Sequence, residues 1–264
     1  MIPLLALCLT APLEFGLQQL PEDSPYRSEG FIKFVDVIAP NGKPIRIIAQ
    51  KGVRDIAVAR CENLLKFYLT DVPGTKYGSD KSAVANSMAN NHAMLMMPEG
   101  EHQEGEEPEI HAQPQFESET PVDGSRWYIR NDWEHRDAAF EEIFHLVHDM
   151  GIGTYDPGAL PQYQKELQDE AIKSLSDGRW GIPIDPHVKE WIEELRQEDS
   201  LAQEYIASVI DSYYGLWAAF NENPGGMWGI YIAKTRKEIK EKDPKGYALL
   251  ESFFEQTVQE NWAE

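Results

Sequence analysis

Apolar and polar residues alternate in two stretches near the start of the chain, GFIKFVDVIA (30–39) and KPIRIIA (43–49), with Pro40-Asn41-Gly42 between them. A period of two turns one face of a strand inward, and an Asn-Gly step favours a tight reversal, so residues 30–49 are predicted to form a β-hairpin. The period then changes. In RDIAVARCENLLKFYL (54–69), Ile56, Ala59, Leu64 and Phe67 recur at helical spacing, and Asp55 occupies the first turn. A helix is expected there, closed by Pro73-Gly74. A second helix is predicted from Lys81 to Ala89, and HAMLMM (92–97) reads as a buried strand. Strand, strand, helix, helix, strand assembles into a small mixed sheet with helices packed against it.

Residues 98–125 break the pattern with Pro98, Gly100, Gly105, Pro108, Pro114, Pro121 and Gly124, and with acids throughout. They are expected to be a long loop or flap. His102 and His111 lie there among glutamates, where a solvated acidic loop is the simpler expectation. Trp127-Tyr128-Ile129 has the composition of a short strand. From residue 137 onward helical spacing dominates, over 137–150, 161–175, 186–197, 200–220 and 244–258. The predicted fold class is therefore α+β, with a mixed sheet in the N-terminal half and an α-rich C-terminal half. No solenoid-like repeat is present. Residues 16–264 are expected to form one domain, with an N-lobe over 16–150, a C-lobe over 151–264 and the 137–150 helix between them.

Composition narrows the partners. The 264 residues carry 45 acids against 24 bases, a net charge of −21. Nucleic acid and anionic membrane would both be repelled, so neither is expected as a partner. No apolar run approaches the ~18 residues of a membrane span. The opening MIPLLALCLTAPLEFG has a short apolar stretch without a preceding Lys or Arg, so residues 1–15 read as a short export signal or a terminal segment. Extracellular or exported location is the favoured expectation. Cys8 and Cys61 are too few for a disulfide framework. Cys61, on an amphipathic helix, is expected to be a buried thiol.

The densest chemistry is in RDAAFEEIFHLVHDMGIG (136–153). At about 100° per residue, Glu141, His145 and His148 fall within an arc of about 60°, while Phe140, Ile143, Phe144 and Val147 take the adjoining faces. Carboxylate and imidazole at such spacing suit Zn²⁺, which accepts nitrogen and oxygen donors. The competing expectation is a structural cluster of polar groups. A second helix, SLAQEYIASVIDSYYGLW (200–217), opens with a predicted capping box, Ser200 with Gln203. Glu204, Ser208, Asp211 and Gly215 then share a face, and the small Ala207 and Ser208 would allow close approach of the first helix. Glu204 is alternatively a first-turn acid answering the helix dipole.

Glu141-Glu142-Ile143-Phe144-His145 resembles the HExxH signature of zincin metallopeptidases with Glu in place of the first His. The wider string EEIFHLVHDMGIG looks most like the active-site helix of gluzincins of the anthrax lethal factor type. That resemblance implies a zincin-like fold, one zinc ion with Glu141 and His145 as ligands, and Glu142 as general base. It also implies a third ligand from a later helix, for which Glu204 is the candidate. Tyr213 and Tyr214 would then be candidates to steady an oxyanion, although an aromatic core or cleft wall is the simpler role for each. The departure at Glu141 leaves three arrangements open. Glu141, His145 and Glu204 hold the ion; or Glu141, His145 and His148 hold it; or the site has lost its metal. Three functions are open beside them: a metal-dependent hydrolase acting on a peptide or protein substrate, a non-catalytic zincin-like binding module, and a plain metal-binding or structural protein.

Overall fold

The computed structural model describes residues 14–101, 108–154 and 158–256. The alternating stretches form the expected hairpin, and the strands are β1 (Gln18–Gln19), β2 (Phe31–Ile38), β3 (Pro44–Gln50), β4 (Met94–Met97) and β5 (Gln113–Pro114). They lie in one sheet in sequence order. The β1/β2 and β2/β3 pairs are antiparallel, whereas β3/β4 and β4/β5 are parallel. At the hairpin turn Gly42 sits at φ +82°, a left-handed conformation that glycine adopts without a side-chain clash.

A parallel neighbour requires a crossover, which α1 (Asp55–Leu69) and α2 (Ser82–Asn90) supply between β3 and β4. Their apolar faces cover one side of the sheet, where Val35, Val37, Ile45, Ile47, Leu95 and Met97 join the main core. On the other side Leu20, Phe31, Ile48, Met94 and Met96 make a smaller cluster, covered in part by Ile110 and Ala112 of the acidic loop. Cys61 is fully buried on α1, as expected.

The C-terminal half is helical, as expected: α3 (Arg126–Arg130), α4 (Ala139–Val147), α5 (Pro161–Ser176), α6 (His187–Gln197), α7 (Leu201–Tyr213), α8 (Arg236–Lys242) and α9 (Pro244–Glu251). Helices α4, α5 and α9 pack around α7, whose residues are buried apart from Glu204. No helix among the described residues is long and apolar enough to cross a membrane.

Several local expectations need correction. Trp127-Tyr128-Ile129 lies in helix α3, where Trp127 packs edge-on against Trp133 instead of joining a sheet. Helix α7 stops at Tyr213 and does not reach residue 220, because Gly215 takes a left-handed φ of +82° two residues on. Ser200 makes no capping bond to α7; its hydroxyl donates instead to the Leu195 carbonyl. The charged helix α8 has one buried residue, Ile239, so its sequence carries almost no apolar periodicity to read. The helix expected over 244–258 stops at Glu251; residues 1–13, His102 and 257–258 lie outside the described residues.

Candidate metal site

Helix α4 is buried nearly all round: eight of its nine residues are enclosed, including Glu141 and His145. Its start is pinned by Asp137, whose Oδ1 accepts from the Ala139 amide at 3.1 Å. The same oxygen accepts from Arg60 Nη1 of α1 at 3.0 Å, while Arg60 Nη2 pairs with Asp137 Oδ2. Such a two-pronged buried pair ties α4 to α1 in orientation as well as position. The small Ala207 and Ser208 of α7 are fully buried, and α7 packs on α4.

That packing brings Glu141, His145 and Glu204 together, with one donor atom from each inside 4.8 Å of the others. His145 Nε2 lies 3.5 Å from Glu204 Oε1. The edge of a tetrahedron around zinc, with bonds of about 2.0–2.2 Å, is about 3.3–3.6 Å. The separation is long for a hydrogen bond and suits two ligands of one ion. His145 Nε2 is also buried with no hydrogen-bond partner among the described residues. An unsatisfied buried imidazole nitrogen is costly unless something accepts or replaces its hydrogen. By donor type, spacing and this unsatisfied atom, the group fits a divalent cation and could hold one.

The electrostatics favour a cation at this point, either a proton on the imidazole or a metal ion in its place. Burial presses the His145 pKa down, but the carboxylates of Glu204, Glu142 and Glu141 outweigh it and raise the pKa to about 10. Burial raises the pKa of Glu204 to about 7 against the pull of His145. Glu142, more exposed than its neighbours, lies with Oε2 3.5 Å from His145 Nδ1 and accepts from Gln113 Nε2 at 2.7 Å. Strand β5 thus reaches the site through Gln113.

Three residues proposed from sequence are placed elsewhere. His148 shares the helix face of Glu141 but stands about 10 Å farther along the axis, at about 1.5 Å per residue, and is not among the three donors that converge. It begins a π-helical turn (His148–Gly153), its Nε2 pairs with Gln164 Oε1 of α5, and its ring lies 5.3 Å from that of Phe144. Burial lowers its pKa to about 4. Tyr213 is about 180° around α7 from Glu204, at 100° per residue. Its hydroxyl donates to Glu251, and Arg236 sits over its ring. The Tyr214 hydroxyl donates to the Glu255 carbonyl at 2.8 Å, and its ring packs on Phe67 and Phe140. Neither tyrosine is aimed at the cluster.

Arg136 and Gln113 reach the cluster without having been singled out from sequence. Arg136 Nη2 pairs with Glu141 Oε2, and Nη1 donates to Asp211 Oδ2 at 3.4 Å. Asp211 was placed on the Glu204 face of α7 by helical spacing alone. The weak signal for Arg136 was a base directly ahead of an acidic helix in an acid-rich chain. Gln113, in a proline-rich loop, carried none. No protein-family model, curated protein or solved structure matches the chain.

Proposed function

We propose that this protein is a zinc-dependent hydrolase of the zincin type, acting on peptide bonds, with Glu141, His145 and Glu204 as ligands. The observation that carries this reading is the meeting of those three donors around the unsatisfied His145 Nε2, with Glu142 at the rim. A bound ion would supply Lewis acidity toward water and toward a substrate carbonyl. Glu142 would accept the proton given up by water and later return it to the leaving amine. Its greater exposure suits contact with solvent and substrate, and Gln113 fixes its carboxylate through Oε2. His145 and Glu204 would hold their places through the packing of α4 on α7.

One observation favours a second reading, a metal-free structural cluster. The Arg136 guanidinium already neutralises part of the charge on Glu141 and Asp211. Metal content of the purified protein by mass spectrometry, before and after chelation, separates the two. Under the hydrolase reading zinc binds in a one-to-one ratio, and chelation lowers the melting temperature by mass action. Glu142→Gln then keeps the ion while turnover of an unstructured protein falls by roughly 10²-fold or more. His145→Ala loses the ion itself. A wild-type protein that binds zinc and cleaves nothing would be a binding module, and one that binds no zinc would be the structural cluster.

A further inference from the structure

The guanidinium of Arg136 is held from several directions. Its Nη1 donates to Asp211 Oδ2 on α7 at 3.4 Å and to the Asp137 carbonyl at 3.3 Å. Its Nη2 pairs with Glu141 Oε2 on α4. The Trp228 ring lies 4.7 Å from its Cζ and the Trp217 ring 5.9 Å. Asp211 is completely buried, and its Oδ2 also accepts from Trp217 Nε1 at 3.2 Å. Met227 and Trp228 both take positive φ values, +50° and +51°. Non-glycine residues resist that conformation unless surrounding contacts hold them. Here the strained turn delivers Trp228 onto the cation.

We propose that Arg136 is a positioning residue for the metal site, one that fixes Glu141 as a ligand and makes a carboxylate, not an imidazole, the donor required there. This rests on the zinc reading above. A carboxylate has two oxygens, so Arg136 can hold Oε2 while the other oxygen serves an ion. Groups behind a ligand set its orientation and basicity, and losing them typically weakens metal affinity about 10- to 100-fold. An imidazole at position 141 would face a guanidinium that only donates, and the nitrogen left over would be misdirected or repelled. The Glu at the first position of the EExxH segment is then matched to Arg136, Asp211 and the two tryptophans. A His at that position would not repair the site.

The probe is Co²⁺, whose visible absorption reports ligand geometry, with Zn²⁺ affinity measured by competition against a chromophoric chelator. The proteins are the full chain and its variants Arg136→Lys, Arg136→Met, Glu141→His and Glu141→His/Arg136→Met. Far-UV circular dichroism and melting temperature identify any that fail to fold. Arg136→Lys keeps the charge but loses the fork that spans Glu141 and Asp211. It is expected to fold, to bind Zn²⁺ about 10-fold or more weakly, and to shift the Co²⁺ band. Glu141→His is expected to bind more weakly than wild type, and Arg136→Met is expected to recover part of that loss in the double variant. Wild-type affinity and an unchanged Co²⁺ spectrum in Arg136→Lys would overturn the inference while leaving the zinc reading intact. Tighter binding by Glu141→His alone would also overturn it. Failure of the wild-type chain to bind either ion would bring down the zinc reading first, and this inference with it.

Discussion

Arg60 and Asp137 offer a quantitative test of how the site is held. The side chains are 9% and 3% exposed, and both guanidinium nitrogens engage the carboxylate. Replacing Arg60 by Met keeps an unbranched apolar stem under Phe140 but strands a buried carboxylate at the start of α4. Breaking one side of a buried ion pair costs about 3–5 kcal/mol. For a chain of this size about 1 kcal/mol corresponds to roughly 2–4 °C, so the melting temperature should drop by about 6–20 °C. Asp137→Asn removes the charge while retaining an oxygen for the Ala139 amide, and it leaves Arg60 buried opposite a neutral group. The double variant has neither stranded charge. It should therefore lose less stability than the two single losses combined, by up to about 3 kcal/mol. Urea denaturation of all four proteins at pH 7, followed by tryptophan fluorescence and circular dichroism, gives the cycle directly. An Arg60→Met loss below about 1 kcal/mol, or additive single losses, would refute the claim that this pair anchors α4.

Other expectations concern groups away from the cluster. Burial lowers the Lys81 pKa from 10.5 to about 8; its ammonium donates to the Tyr68 carbonyl at 2.8 Å and lies 4.3 Å above the Phe253 ring. The folded state then releases this proton before the unfolded state does, so stability gained from Lys81 rises between about pH 8 and 10.5, by on the order of 3 kcal/mol. Wild type should gain that much relative to Lys81→Met across the window in urea titrations, and parallel pH profiles would count against it. Burial pushes the Cys61 thiol up to about 12; in a Cys8→Ser background a thiol reagent at pH 8 should react only after denaturant is added, and fast reaction in buffer would contradict the packing of α1. Tyr214→Phe should cost about 1 kcal/mol for the lost bond to the Glu255 carbonyl and leave zinc affinity and turnover unchanged. A selective loss of turnover would restore a catalytic part for that hydroxyl.

Local order was legible in the sequence because it depends on neighbours a few residues apart. Alternation between Phe31 and Ala49 and the Asn41-Gly42 turn determined the hairpin, and helical spacing determined α1, α2 and α4. The i, i+4 relation of Glu141 to His145 needed only the pitch of a helix. The same arithmetic, applied without the α7 stop at Gly215, carried that helix on to residue 220 and left Tyr213 a candidate although it lies opposite Glu204. Tertiary structure decided the rest. His148 has the right angle around α4, but Gln164 from another helix claims its Nε2. Glu204 could have been a solvated first-turn acid; the packing of α7 on α4 made it a neighbour of His145. Arg136 meets Asp211 and Trp228 across stretches of chain that no periodicity connects. Periodicity reports which face of an element is buried, whereas the identity of the group facing it is set by the close packing of separate elements in one core.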